Sequence, residues 1–303
     1  MNRRKFILTS TTLLGSLSFS GHLMAGDKKF KPIRFGILTD VHYAELPPRN
    51  NRYYHEALGK TTECISFMNE QKLQFLIETG DLKDAGGTVE ETLGFLDTIE
   101  GELQKFNGPL YHVLGNHDVD KLSKAQFLSR IKNTGFTKPQ AHYSFDMGSW
   151  HFVVLDANYT SKGESHESGN FDWKDCHVPA EQLEWLKRDL NKSNKPTIVF
   201  VHQQLDDISF PASHKKYCPD NSAEVRAILE SSGNVTLVFQ GHYHDGSFHT
   251  INGISYYTLS SIIEGTGPQT NSFAVVDIDE HLNIQIKGYQ KATSKRLSGM
   301  KKA

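Results

Sequence analysis

Five times along this 303-residue chain an apolar run stops at a carboxylate, an imidazole or an amide. Gly36-Ile37-Leu38 leads into Thr39-Asp40-Val41-His42, and Phe75-Leu76-Ile77-Glu78 into Thr79-Gly80-Asp81. Tyr111-His112-Val113-Leu114 leads into Gly115-Asn116-His117-Asp118, and Ile198-Val199-Phe200-Val201 into His202. The last run, Leu237-Val238-Phe239-Gln240, ends in Gly241-His242-Tyr243-His244. Neutral imidazoles and carboxylates without a thiolate suit zinc, iron or manganese. The set offers more donors than one tetrahedral ion takes, and it matches two. Two ions roughly 4 Å apart can clamp the attacking and leaving oxygens of a phosphoester displacement. Gly80, Gly115 and Gly241 permit the tight turns that bring backbone and neighbouring side chains close to an ion.

The elements that must position these residues follow from periodicity. Short β-rich runs alternate with helical patterns: a helix over Tyr53–Glu70, another from Thr88 with Glu91 three residues on as a capping box, and amphipathic helices over Pro179–Asn194 and Ser222–Ser232. Such alternation predicts an α/β fold. In open α/β sheets the carboxyl ends of strands converge on one crevice, so the five polar groups are expected to meet there. A β-rich tail, with turns at Asn252-Gly253 and Asp279-Glu280, predicts a second sheet or an extension of the first. The long excursion Tyr159–Val178 interrupts the alternation, and its length argues for a working loop. The stretch Gly169–Pro179, with Phe171 and Trp173, is expected either to wall the substrate pocket or to use its two aromatics to pin the loop to the body of the domain.

D-x-H, G-D, G-N-H-D, apolar-H and G-H-x-H in this order resemble the calcineurin-like metallophosphoesterase family, from Ile33 to the tail. The resemblance implies a two-sheet β-sandwich flanked by helices, with a dinuclear metal centre at the strand ends. It implies that Asp40, His42, Asp81 and His244 hold one ion, and Asp81, Asn116, His202 and His242 the other, with Asp81 bridging. His117 would act as the acid near the leaving group and Asp84, in Gly80-Asp81-Leu82-Lys83-Asp84, would orient it. Asp118 stands where many relatives carry Glu. Ala85-Gly86-Gly87 follows where protein Ser/Thr phosphatases have Arg-Gly, which argues against protein-phosphatase activity. Arg52–Leu58, "QLEWLKRDL", "GHYHDGSF" and "LSSIIEG" are similar to the ADP-ribose/CDP-alcohol diphosphatase branch. The expected substrate is therefore a small phosphate ester or diphosphate of nucleotide type, with Tyr43, Tyr53, Tyr54 and Trp173 as candidates to stack on a base. A cyclic-nucleotide phosphodiesterase, a broad phosphomonoesterase and a non-catalytic metal-binding protein stay open as alternatives. The cofactors implied are two divalent or trivalent ions, manganese, iron or zinc.

Composition narrows the partners. Formal net charge is −2, and Arg3, Arg4 and Lys5 lie in an acid-free first 25 residues, so a chain without them carries −5. A mildly acidic protein lacks the basic surface that nucleic-acid polymers require. Residues 1–25 read as a targeting segment, with a basic head, a Ser- and Thr-diluted apolar stretch and Ala25 as a cleavage site. Asn2-Arg3-Arg4-Lys5-Phe6-Ile7 is similar to a twin-arginine export signal, with an ordinary secretory signal or a transit peptide as alternatives. Export to the periplasm or beyond, through export machinery, is the expectation, with no membrane span after its removal and residues 26–303 as one catalytic domain. Of the three cysteines, Cys64 falls in a helical pattern and reads as core; Cys176 and Cys218 lie in loops and could pair.

Overall fold

The structure is a computed structural model, which describes residues 30–298. The expected leader, residues 1–25, lies outside them. β1 (Ile33–Leu38), β2 (Phe75–Glu78) and β3 (Leu110–His112) run parallel, joined by α1 (Tyr54–Glu70) and α2 (Val89–Leu103). After the short α3 (Lys124–Leu128) and the antiparallel pair β4 (Tyr143–Met147) and β5 (Trp150–Val154), the plan repeats. β5, β6 (Thr197–Phe200) and β7 (Val235–Gln240) are parallel, joined by α4 (Ala180–Lys192) and α5 (Ser222–Ser232).

The tail then divides between two sheets. β8 (Ser247–Ile251) and β9 (Ile254–Thr258) close one, in the order β4-β5-β6-β7-β9-β8. β10 (Ser272–Ile278), β11 (Ile284–Gln290) and β12 (Lys295–Leu297) extend the other, in the order β12-β11-β10-β1-β2-β3. The sheets face each other across an aromatic seam. Phe35 stacks on Phe75 at 4.6 Å and meets Phe152, Phe200 and Phe239 edge-on at 5.8, 6.0 and 5.9 Å. Strands buried on both faces must be apolar throughout, which is why these runs read as continuous rather than alternating. α1 and α2 cover the outer face of one sheet with Ala57, Met68 and Leu96; α4 and α5 cover the other with Leu186 and Leu229. The architecture is the expected α/β two-sheet sandwich flanked by helices.

One local expectation changes. Thr88 Oγ1 accepts from Glu91 N at 3.1 Å, but the Glu91 carboxylate turns to Gly87 N at 2.7 Å instead of Thr88 N, so only half the box forms. The complete box belongs to Ser123 and Gln126 at the start of α3. Cys176 and Cys218, which could pair, are free and buried in this structure, as is Cys64. Among the described residues no helix is long and apolar enough to cross a membrane.

Candidate metal centre

β1, β2 and β3 from one sheet and β6 and β7 from the other point their carboxyl ends at one place. The loops that leave them interlock through backbone hydrogen bonds: Asp40 N to Gly80 O at 3.0 Å, His42 N to Asp81 O at 2.9 Å and Gly241 N to His202 O at 3.0 Å. The packing is close enough to demand glycine. A Cβ on Gly115 would stand 2.0 Å from Asp81 N, and one on Gly241 would stand 2.3 Å from Thr39 Oγ1. Asp118 ties two of the loops together. Its Oδ2 accepts from Asp81 N at 3.0 Å and Gly115 N at 2.8 Å, and its Oδ1 from Leu82 N at 2.9 Å. Asp40, His42, Asp81 and His242 all adopt left-handed backbone, with φ of 51°, 47°, 60° and 65°. Non-glycine residues held there cost about 1–3 kcal/mol each and cluster where function requires the geometry.

Asp40, His42 and His244 present three donor atoms within 4.8 Å of one another, and so do Asp81, His202 and His242. Asp81 Oδ2 stands between the two groups, 3.4 Å from His42 Nε2 and 3.1 Å from His202 Nε2. Its Oδ1 accepts from His117 N at 2.7 Å. Outer partners fix the rings. His202 Nδ1 donates to Thr79 O at 2.8 Å, and His244 Nδ1 lies 2.9 Å from Glu264 Oε1, so each turns Nε2 inward. Asn116 is buried with both amide atoms unpartnered, and Nε2 of both His202 and His242 is buried without a hydrogen bond. Native interiors rarely leave so many polar atoms unpaired in one place. Oxygen and imidazole donors without hydrogen-bond partners, around two buried carboxylates, fit divalent cations.

Electrostatics agree. Burial pulls His242 down to about 3, and the neighbouring His202 adds to the fall; burial likewise lowers His42. Burial also opposes charge on His202, yet the Asp81 carboxylate outweighs it and raises the ring to about 9. His244 rises too, against burial, through Asp40 and Glu264. Burial works against ionisation of Asp40 and Asp81, but the surrounding imidazoles hold both below the usual carboxylate range. A cation bound among these groups would supply the positive charge that the carboxylates need and would displace protons from the imidazoles.

His117 sits beside this group. Both Asp84 Oδ1, at 3.2 Å, and Asp120 Oδ2, at 3.1 Å, engage its Nδ1, which leaves Nε2 free. Burial lowers the ring's basicity, but Asp81 and the two hydrogen-bonded carboxylates overcome it and bring His117 to about 10. Cations bound at Asp81 would reduce that rise. Buried Lys83 Nζ holds Asp120 from the other side at 2.5 Å.

Of the donors, Asp81, Asn116, His242 and His244 line a cleft of about 550 Å³, and Asp40, His42 and His202 lie buried outside its lining. Arg49 and Arg52 line one side, and Trp173, Tyr217 and Tyr243 another. Trp173 stands 5.6 Å from Tyr217 and 5.8 Å from His242, ring to ring, and Phe171 5.8 Å from His117, so the excursion loop does border the site. Tyr54 lines the cleft while almost wholly buried. Tyr43 does not: it is a core residue packed on Phe95 of α2, with its hydroxyl on Glu45. Tyr53 precedes α1 and is not among the lining residues. Asp120, Tyr217 and Arg49 lie outside the motifs read from the sequence, whereas Arg52 and Glu264 fall inside the patches Arg52–Leu58 and LSSIIEG without a role assigned to either. Asp120 lies three residues after His117, one 3-10 turn away, and that spacing was the available signal.

The profile described as calcineurin-like phosphoesterase matches residues 33–246. A manganese-dependent ADP-ribose/CDP-alcohol diphosphatase from Oryza sativa is 26% identical over 288 residues, covering 80% of this chain and 87% of the relative. A 3',5'-cyclic-nucleotide phosphodiesterase from Nostoc is 25% identical over 253 residues, covering 80% and 84%. Among solved structures, a dimetal phosphatase from Danio rerio superposes with a TM-score of 0.77 at 22% identity, covering 88% of this chain and 99% of that one. With the fold, the ordered strand-end motifs and the profile in agreement, the chain belongs to the calcineurin-like phosphoesterase family and is a metal-dependent phosphoester hydrolase.

Proposed function

We propose that this protein hydrolyses the diphosphate bond of small nucleotide-type substrates such as ADP-ribose or CDP-alcohols, using two divalent ions, manganese first among the candidates. The observation that carries the two-ion reading is Asp81 Oδ2, which faces a ligand nitrogen from each donor group. Asp40, His42, Asp81 and His244 would hold one ion, and Asp81, Asn116, His202 and His242 the other. Bound there, the ions supply Lewis acidity, neutralise phosphoryl charge and lower the pKa of water. The chain's own residues do the rest. His117, held at Nδ1 by Asp84 and Asp120, presents Nε2 to the cleft and donates a proton to the leaving oxygen. Arg49 and Arg52 carry positive charge along the cleft for the second phosphate, and Trp173 and Tyr217 offer faces for a base.

The rice relative supports the diphosphatase reading, and the Nostoc relative supports a second one, cleavage of cyclic nucleotides by the same centre. Steady-state kinetics with manganese on ADP-ribose, CDP-choline and 3',5'-cyclic AMP separate them. A kcat/KM for ADP-ribose at least tenfold above that for the cyclic nucleotide supports the first; the reverse order supports the second, and no turnover of any of the three defeats both. Export belongs to the same reading, on the strength of the leader at residues 1–25. Replacing Arg3 and Arg4 by lysine should strand the chain in the cytoplasm if the twin-arginine route carries it, and fractionation reads the result.

A further inference from the structure

Asn158 lies outside the cleft lining and is fully buried, just past β5. Its side chain joins the two sheets behind the metal centre. Nδ2 donates to Leu114 O at 2.7 Å and to Asp156 Oδ1 at 3.0 Å, while Oδ1 accepts from Gln203 Nε2 at 2.7 Å. Leu114 lies two residues before Asn116, on the chain leaving β3 in one sheet; Gln203 directly follows His202, on the chain leaving β6 in the other. An amide meets both demands of the position, donating to a carbonyl and accepting from another amide at once. Asp156 fixes the amide's orientation. It also accepts from Asn158 N at 2.9 Å and is itself held by Lys124 Nζ at 2.6 Å and by both polar atoms of Gln182.

We infer that Asn158 is a positioning residue for one half of the metal centre: it sets the span between Asn116 and His202, and its loss weakens the ion those residues hold while sparing the other. The inference rests on the two-ion reading above. The spared half has its own supports, Thr39 on Asp40 and Glu264 on His244, neither of which touches Asn158. Loss of outer partners of metal ligands typically costs 10–100-fold in affinity.

The test is calorimetric titration of metal-free protein with manganese, which needs no substrate. Wild type should show two sites per chain. Asn158→Ala should weaken one by 10–100-fold and leave the other within twofold. Gln203→Met, which removes only the Gln203 bond and keeps the chain's bulk, should repeat the effect at smaller size and guards against a misfolded Asn158 variant. A second arm assigns the half: Asn158→Ala should weaken the site that remains in His244→Ala and not the one that remains in His242→Ala. Equal weakening of both sites, or of neither, overturns the inference while leaving two ions in place. One site in wild type contradicts the two-ion reading itself and takes this assignment with it.

Discussion

At the scale of residues, the proposed centre is a problem of uncompensated charge. Asp40 and Asp81 are buried, the imidazoles around them hold both below the usual carboxylate range, and a bound cation would supply the balancing charge. Asp81→Asn should therefore lose most of its bound metal and nearly all activity, since a neutral amide bridges two cations poorly. Metal analysis of the purified variant checks this, and retention of wild-type content and turnover would contradict the bridging role. His117→Ala should separate the two properties: metal content holds while turnover falls by roughly 10²-fold, less for nitrophenyl than for alkyl leaving groups. Equal losses for both would argue against proton donation. The donors themselves were legible in the sequence because each is delivered by a strand end, a position that periodicity marks. The residues that orient them were less so. Glu264 reaches His244 from a loop 20 positions on, and Thr79 holds His202 through a backbone oxygen that carries no side-chain identity at all.

At the scale of elements, strands and helices came through because burial imposes their patterns, whereas the membership of the tail strands did not. β8 and β10 read alike, yet one joins the sheet of β7 and the other that of β1, a choice made by long-range pairing. Tyr43 shows the same limit, since its position beside His42 suggested the cleft and packing beneath α2 claimed it. The excursion loop is testable here. Trp173→Ala should raise KM for ADP-ribose severalfold with little effect on a small aryl phosphodiester, read by paired kinetics; equal effects on both, with a lower melting temperature, would make Trp173 a packing residue. The α2–β3 contact makes a separate prediction. His112 Nε2 lies 2.9 Å from Glu100 Oε2; burial lowers His112, but Glu100 outweighs it and the ring's pKa rises, while Glu100 falls against its own burial. The raised imidazole stabilises fully below its unfolded value near 6.5 and loses this as pH climbs through its folded value. The depressed carboxylate contributes above about 4.3 and loses it as pH falls through its folded value. Glu100→Ala should thus cost about 3 kcal/mol at pH 6 and less at pH 9. Urea denaturation at both pH values checks it, and a penalty independent of pH would contradict the ion pair.

At the scale of the molecule, two β-α-β-α-β halves press their sheets together on an aromatic seam and leave their strand ends to make one site. Neither half carries a complete donor set: Asp40, His42, Asp81 and Asn116 come from the first, and His202, His242 and His244 from the second. Bound ions should therefore hold the halves together. Each ion at 100 times its dissociation constant adds about 2.7 kcal/mol, so the melting temperature should rise with manganese and fall on chelation; a melting temperature indifferent to both would contradict this coupling.

The most direct test of the central claim is electron paramagnetic resonance of the manganese-loaded wild-type protein, with metal content measured on the same sample. Donor groups that share Asp81 Oδ2 predict two manganese ions per chain with the broadened, exchange-coupled spectrum of a bridged pair. One ion per chain, or two giving only the six-line spectrum of isolated manganese, would contradict it.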